Sequence, residues 1–254
     1  MLGCSLAQCL AMSFWSDLKT LYHLAIRPVR GRDHAQRMED FYASQAEGYD
    51  DFRRRLLAGR EELYRRLADS ATGGIWVDFG GGTGANLEFM GDAIAKFSNV
   101  YVVDLAGSLL SVVRQRCERH GWKNVEAVEG DATRWSPVGS VADVVTFSYS
   151  LTMIPDWFAA IDNAHRLLRP GGLFGAVDFY VSRKYPDAEL RRHRWGPRSL
   201  WPLWFANDNV FPSPDHLPYL RHRFETLWLA ESDNRVPYLP LARMPYYQFI
   251  GRKR

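Results

Sequence analysis

The stretch Val77-Asp78-Phe79-Gly80-Gly81-Gly82-Thr83-Gly84-Ala85-Asn86 decides the fold. A short apolar strand, Ile75 to Phe79, runs into glycines and then into Asn86 to Phe97, whose spacing is helical. Glycine lets the backbone turn sharply and lets a ligand approach the main chain closely. Taken alone, the motif serves two kinds of ligand. Gly80-x-Gly82-x-x-Ala85 satisfies the dinucleotide fingerprint, and Asp104 lies near the spacing of its ribose-binding acid. Asp78, two residues before Gly80, favours a ligand with a cationic or polar part, because a pyrophosphate gains nothing from a carboxylate beside it.

The flanking chain repeats the strand-then-helix rhythm. Val100 to Asp104 reads as a second strand, Ser108 to His120 as a helix ended by Gly121, and Val125 to Val128 as a third strand leading into Gly130-Asp131. Asp143 to Tyr149 is a fourth strand. Asp156 to Leu168 is a helix stopped by Arg169-Pro170-Gly171-Gly172, and Leu173 to Phe179 is a fifth strand. Near-continuous apolar strands separated by helices predict an α/β fold with a parallel sheet covered on both faces. Asp78, Asp104 and Asp131 then meet around one glycine loop. Asp104 can accept from both ribose hydroxyls, and Asp131 with Ala132 can read an adenine amine. Three such acids suit a nucleoside without phosphates, although a helix cap competes as the role of Asp104 or Asp131 alone.

Composition sets the outer bounds. The chain has 254 residues, 46% apolar and 24% charged, which describes a folded globular protein rather than a disordered one. A net charge of +3 is too weak to argue for nucleic acid. Three cysteines make no disulfide framework and point to a reducing compartment. Cys117 with His120 lacks the further ligands of a metal site, so no metal is expected. Residues 1–70 read as helices, including His34 to Ala46 and Tyr49 to Ala68. Met1 to Trp15 lacks the charged start of a signal peptide. It reads as a helical or frayed extension, or as an interfacial anchor with Phe14, Trp15, Leu18 and Leu21 on one stripe ahead of Arg27, Arg30, Arg32 and Arg37.

Residues 71–254 hold the sheet, with an insertion at about 181–220 rich in Trp, Pro and Arg. Between 183 and 198 it carries six basic and two acidic side chains, followed by Trp201, Trp204 and Phe205. That mixture fits docking to a membrane surface; an aromatic substrate lid and a nucleic-acid surface compete. Phe224 to Ala230 and Tyr247 to Ile250 are expected to pair as a terminal hairpin.

The glycine loop, the three acids and the Arg169-Pro170-Gly171-Gly172 turn resemble class I S-adenosylmethionine-dependent methyltransferases over residues 75–180. The resemblance implies a Rossmann-like sheet of order 3-2-1-4-5-7-6 with the last strand antiparallel, and S-adenosyl-L-methionine as cofactor. It places Asp78, Gly80, Gly82, Gly84, Asp104, Leu105, Asp131, Ala132 and Ser148 against that cofactor, with Tyr149 beside the substrate as a catalytic candidate.

The flanks are more specific. Phe41-Tyr42-Ala-Ser-Gln45-Ala46-Glu-Gly-Tyr49-Asp50-Asp-Phe-Arg53, then Leu56-Leu57-Ala-Gly59-Arg60, resembles the leading helices of diacylglyceryl homoserine N-methyltransferases, the methylating half of betaine lipid synthase. The ending Val236-Pro237-Tyr238-Leu-Pro240 with Pro245-Tyr246-Tyr247-Gln-Phe-Ile250-Gly251 is similar to the same group. The resemblance implies three methyl transfers onto the headgroup amine of diacylglyceryl homoserine, by a cytoplasmic enzyme peripheral on a membrane. It also implies a separate aminocarboxypropyl transferase as partner. Tyr42 and Tyr49 become candidates for closing the site, Gln45, Arg53 and Arg60 for binding substrate, and Tyr149, Trp157, Tyr180 and Tyr185 for an aromatic box around the methylated ammonium. The competing functions are methylation of a small soluble amine or a quinone, and a silent cofactor-binding subunit.

Overall fold

The structure, a computed structural model, describes residues 56–254 apart from 140, 206–209 and 237–241. The described chain begins with helix α1 (Arg60–Ser70), which leads into strand β1 (Gly74–Phe79). A 3-10 helical segment, Ala85–Lys96, connects β1 to β2 (Phe97–Asp104). Helix α2 (Gly107–His120), β3 (Val125–Glu129), β4 (Ala142–Ser148), α3 (Trp157–Leu167) and β5 (Leu168–Phe179) continue the alternation. Two helices, α4 (Trp195–Phe205) and α5 (His216–Arg223), precede the hairpin of β6 (Glu225–Arg235) and β7 (Arg243–Arg252).

The sheet order is β3-β2-β1-β4-β5-β7-β6, as expected. β1 through β5 pair in parallel, and β7 runs antiparallel to both β5 and β6. Two apolar clusters sandwich it. One joins α1, Trp76, Val100, Val102 and Val144; the other joins Phe79, Phe147, Phe174 and Phe249 with α3 and α5. Trp76 shows how residue choice fixes the packing: it stacks on Tyr64 at 5.7 Å and meets Phe97 edge-on at 5.2 Å. Fully burying a large apolar side chain contributes about 1.5–3 kcal/mol.

Three local expectations are corrected. The helix expected over Tyr49 to Ala68 is interrupted at Gly59, whose φ of 79° ends any continuous run into α1. The helix expected over Asn86 to Phe97 is a 3-10 segment that ends at Lys96, and Gly91 at φ 52° breaks it. β5 starts at Leu168, five residues before the expected Leu173, because Leu168 pairs with Ala142. The Gly171 and Gly172 main chain also exchanges hydrogen bonds with Lys253, at 2.9 Å each way. Terminal pairing thus captures a Pro-Gly-Gly turn that looks like a loop in isolation.

Candidate active site

Parallel pairing brings the carboxyl ends of β1, β2, β4 and β5 to one edge, the place where open sheets of this kind bind ligands. Gly80, Gly82 and Gly84 have φ values of 64°, 58° and 69°, so the expected bend forms. A Cβ at Gly80 would lie 2.4 Å from the Ser150 Cβ, and one at Gly81 would lie 2.9 Å from Asp78 Oδ2.

Asp78 is fully buried on β1. Its Oδ1 accepts from the Tyr64 hydroxyl at 2.6 Å and from Thr146 Oγ1 at 2.8 Å. The Trp76 indole N–H donates in turn to Thr146 Oγ1 at 2.9 Å. The other oxygen, Oδ2, is buried without a hydrogen-bond partner. Burial pushes the Asp78 carboxyl up to about 6, the donors Tyr64 and Thr146 pull it back, and Asp104 raises it a little. Ser148 lies two residues beyond Thr146, on the same face of β4, and its buried Oγ likewise has no partner. Two such atoms near the carboxyl ends of adjacent strands, beside the glycine bend, lie where a ligand can satisfy them.

Arg60 opens α1 close to the same loop. Its Nε donates to the Leu57 carbonyl at 3.0 Å and its Nη1 to Asn86 Oδ1 at 3.1 Å, while Asn86 Nδ2 reaches the Tyr64 hydroxyl at 3.4 Å. A guanidinium and a carboxylate therefore stand at the two ends of one hydrogen-bonded chain beside the glycine bend. That donor set fits the zwitterionic amino-acid end of S-adenosylmethionine.

The acids expected to hold the nucleoside do further work. Asp104 Oδ2 accepts from the Gly82 amide at 2.9 Å and Oδ1 from the Ala106 amide at 3.0 Å, bracing the loop; half-buried Leu105 lies between. A carboxylate has about four lone-pair sites, so ribose hydroxyls can still be accepted. Asp131 also closes its own turn: its Oδ1 accepts from the Thr133 amide and hydroxyl at 2.9 and 2.8 Å, and Arg134 pairs with Oδ2 at 3.3 Å. The Ala132 carbonyl accepts from Asn163 at 2.8 Å.

The acceptor side departs most from expectation. Tyr149 has φ 54°, unusual for a residue with a Cβ, and its hydroxyl donates to the Ala58 carbonyl at 2.7 Å. Burial, and then the Asp178 charge, raises that hydroxyl well above its ordinary value, so it stays a donor. Tyr180 is buried and donates to Glu231 at 2.5 Å. Tyr185 is exposed, between Lys184 and Arg192, and Trp157 packs on Phe158, His216 and Tyr219. The expected aromatic box does not form, because these residues lie on different elements and are committed elsewhere. Tyr42, Gln45, Tyr49 and Arg53 lie outside the described residues.

Sequence reasoning missed Asp178. It is fully buried and accepts from the Thr152 amide and hydroxyl at 3.1 and 2.7 Å and from the Phe179 amide at 2.8 Å. It thereby fixes the loop after β4, and burial pushes its carboxyl up to about 7 against those donors. Thr146 and Tyr64 were missed as well. The available signal was polar side chains, Thr146 and Asp178, inside otherwise apolar strands, where each demands a partner.

A sequence profile described as a methyltransferase domain matches residues 49–232. A ubiquinone/menaquinone biosynthesis C-methyltransferase, UbiE, from Pseudomonas fluorescens (strain SBW25) is 30% identical over 176 residues, covering 65% of this chain and 66% of its own. The demethylmenaquinone methyltransferase of Geobacillus kaustophilus (strain HTA426) is 28% identical over 120 residues, 47% of this chain and 51% of its own. The chain thus spans just under two thirds, or less, of the curated relatives it matches. Among solved structures, the N-methyltransferase NodS of Bradyrhizobium japonicum WM9, in complex with S-adenosyl-L-homocysteine, superposes with a TM-score of 0.62 at 14% identity. That likeness covers 87% of this chain and 99% of NodS.

Proposed function

We propose a function from one premise: the chain belongs to the methyltransferase-domain family, with S-adenosylmethionine as its cofactor. The acceptor is the headgroup amine of a membrane lipid, and diacylglyceryl homoserine, methylated up to three times, is the acceptor this reading names. One observation carries it. The described part of the leading segment that bears the narrow resemblance, residues 56–60, meets the terminal hairpin beside the site. Asn234 Nδ2 donates to the Leu56 carbonyl at 2.9 Å, and Gln248 Nε2 donates to the Gly59 carbonyl at 2.8 Å. Tyr149 supplies the third tie, at Ala58.

When bound, the sulfonium supplies an electrophilic methyl carbon. The chain's own residues hold and aim. Asp78 Oδ2 would hold the cofactor's ammonium, and Arg60 its carboxylate in charge-assisted bonds. Gly80, Gly82 and Gly84 would leave room for that end, and Asp104 would hold the ribose. Leu105, Asp131 and Ala132 would border the base, and Ser148 Oγ would offer a further polar contact. Tyr149, Phe179 and Phe205 form an apolar wall that keeps water from the acceptor nitrogen. Alignment of nitrogen, carbon and sulfur would supply much of the rate: the nitrogen lone pair takes the methyl as the carbon–sulfur bond breaks to leave S-adenosylhomocysteine, and after each of the first two transfers the new ammonium would give up a proton to bulk solvent before the next. Asp178 sets the loop that carries this wall.

A second reading is carbon methylation of a quinone, favoured by the names of the curated relatives. The test incubates the full chain and methyl donor with diacylglyceryl homoserine or with a demethylated quinol in mixed micelles, read by mass spectrometry. Stepwise addition of methyl groups to the lipid amine is expected. Methylation of the quinol alone would overturn the assignment.

A further inference from the structure

Helix α4 is apolar on both sides, but among the described residues the fold uses only one. Trp201 and Phe205 turn inward: the Trp201 indole N–H donates to the Arg243 carbonyl at 3.1 Å, and Phe205 stacks on Phe179 at 5.7 Å. At 3.6 residues per turn, Trp195, Leu203, Leu200 and Trp204 fan across the opposite half. They are 80%, 76%, 50% and 41% exposed. Tyr185 and Phe211, on the neighbouring loops, are exposed too. An exposed apolar helix face of this kind marks an interaction site.

Charge identifies the occupant. The described acidic residues of the same insertion are paired: Arg221 meets Asp187 and Glu189, and Arg183 meets Asp215. Lys184, Arg192 and Arg194 have no carboxylate partner among the described residues. A rim of uncompensated cations beside tryptophans and leucines is complementary to an anionic bilayer, where indoles settle at the headgroup level and basic side chains reach the phosphates.

We propose that the outer half of α4, rimmed by Lys184, Arg192 and Arg194, seats this protein on an anionic lipid surface. The inner half of the helix touches the wall of the site through Phe179, so seating brings the carboxyl ends of the strands close to the bilayer. The inference gives the lipid-acceptor reading its route to substrate, but its test needs no acceptor.

The full chain is floated with vesicles of phosphatidylcholine alone or of phosphatidylcholine with phosphatidylglycerol, both free of any methyl acceptor. Binding to the anionic vesicles alone is expected. Replacing Trp195, Leu203 and Trp204 by Ser should lower it by at least about tenfold, and Arg192→Glu with Arg194→Glu should weaken it and flatten its salt dependence. S-adenosylhomocysteine affinity, measured by calorimetry, reports folding and should not move. Retention of wild-type vesicle binding by the folded triple variant would overturn the proposal and place docking elsewhere in the chain. Absence of vesicle binding, with sedimentation showing a dimer that the triple variant dissolves, would overturn it in favour of a second copy. Failure to methylate a lipid amine while vesicles still bind strikes the acceptor reading alone.

Discussion

Replacing Tyr64 by Phe removes one oxygen atom from the site and exposes the electrostatic logic of Asp78. The Tyr64 hydroxyl donates to Asp78 Oδ1 at 2.6 Å, inside a fully buried network. A hydrogen bond to a charged group is worth about 1.5–3 kcal/mol. Each pKa unit corresponds to 1.36 kcal/mol, so losing a bond of about 2 kcal/mol should lift the Asp78 carboxyl by roughly 1.5 units. Starting from about 6, it moves past neutrality. An ammonium ligand favours the ionised carboxyl, so cofactor affinity should fall as pH drops through the pKa of the free protein. Calorimetric titration of S-adenosylhomocysteine from acid to alkaline pH should show that fall near 6 in the parent and roughly 1.5 units higher in Tyr64→Phe. 5'-Methylthioadenosine, which lacks the amino-acid end, should show neither. Superimposable profiles for parent and variant would refute the reasoning. So would an equal pH dependence for the truncated ligand.

Other substitutions probe separate parts. Gly80→Ala should abolish S-adenosylhomocysteine binding in calorimetry, since the new Cβ would lie 2.4 Å from Ser150 Cβ at a φ of 64°. Arg60→Met should weaken S-adenosylhomocysteine by about 10–100-fold while sparing 5'-methylthioadenosine, in line with loss of a charge-assisted bond of about 1.5–3 kcal/mol. Asp178→Asn should change how stability depends on pH. The Asp178 carboxyl is raised to about 7 in the folded protein, so folding holds a proton that the unfolded chain releases at ordinary carboxylate pH. Its contribution is therefore most favourable below about 4 and declines as pH rises toward 7, and urea denaturation at pH 5 and 7.5 should show the parent losing ground to the variant across that window.

Much of the fold was legible because it depends on local pattern. Apolar runs at Ile75 to Phe79 and Val100 to Asp104, each leading toward a helix, leave few ways to close a parallel sheet. The hairpin was readable from two apolar runs near the end. The capture of Arg169-Pro170-Gly171-Gly172 into β5 was not, because it depends on Lys253, far along the chain. The cofactor side was legible for a similar reason: glycine conformation and strand-end acids are local facts. Asp131 shows the limit, since the same residue type at the same place also closes its own turn. The acceptor side resisted because it is assembled from distant pieces. Nothing near Tyr149 in the sequence indicates that its hydroxyl is tied to Ala58, and nothing near Tyr180 indicates Glu231.

Three long-range ties on residues 56–59 end on main-chain oxygens, and their donors are the side chains of Asn234, Tyr149 and Gln248. Tolerance to mutation is therefore lopsided across each contact. Leu56 and Ala58 are free to drift in side-chain identity as far as these bonds are concerned, because every residue type presents the same carbonyl. The three donors have no such latitude. Variation tracked through a lineage of this protein should fall on Leu56 and Ala58 and spare their distant fasteners, the reverse of what proximity to the glycine loop would suggest.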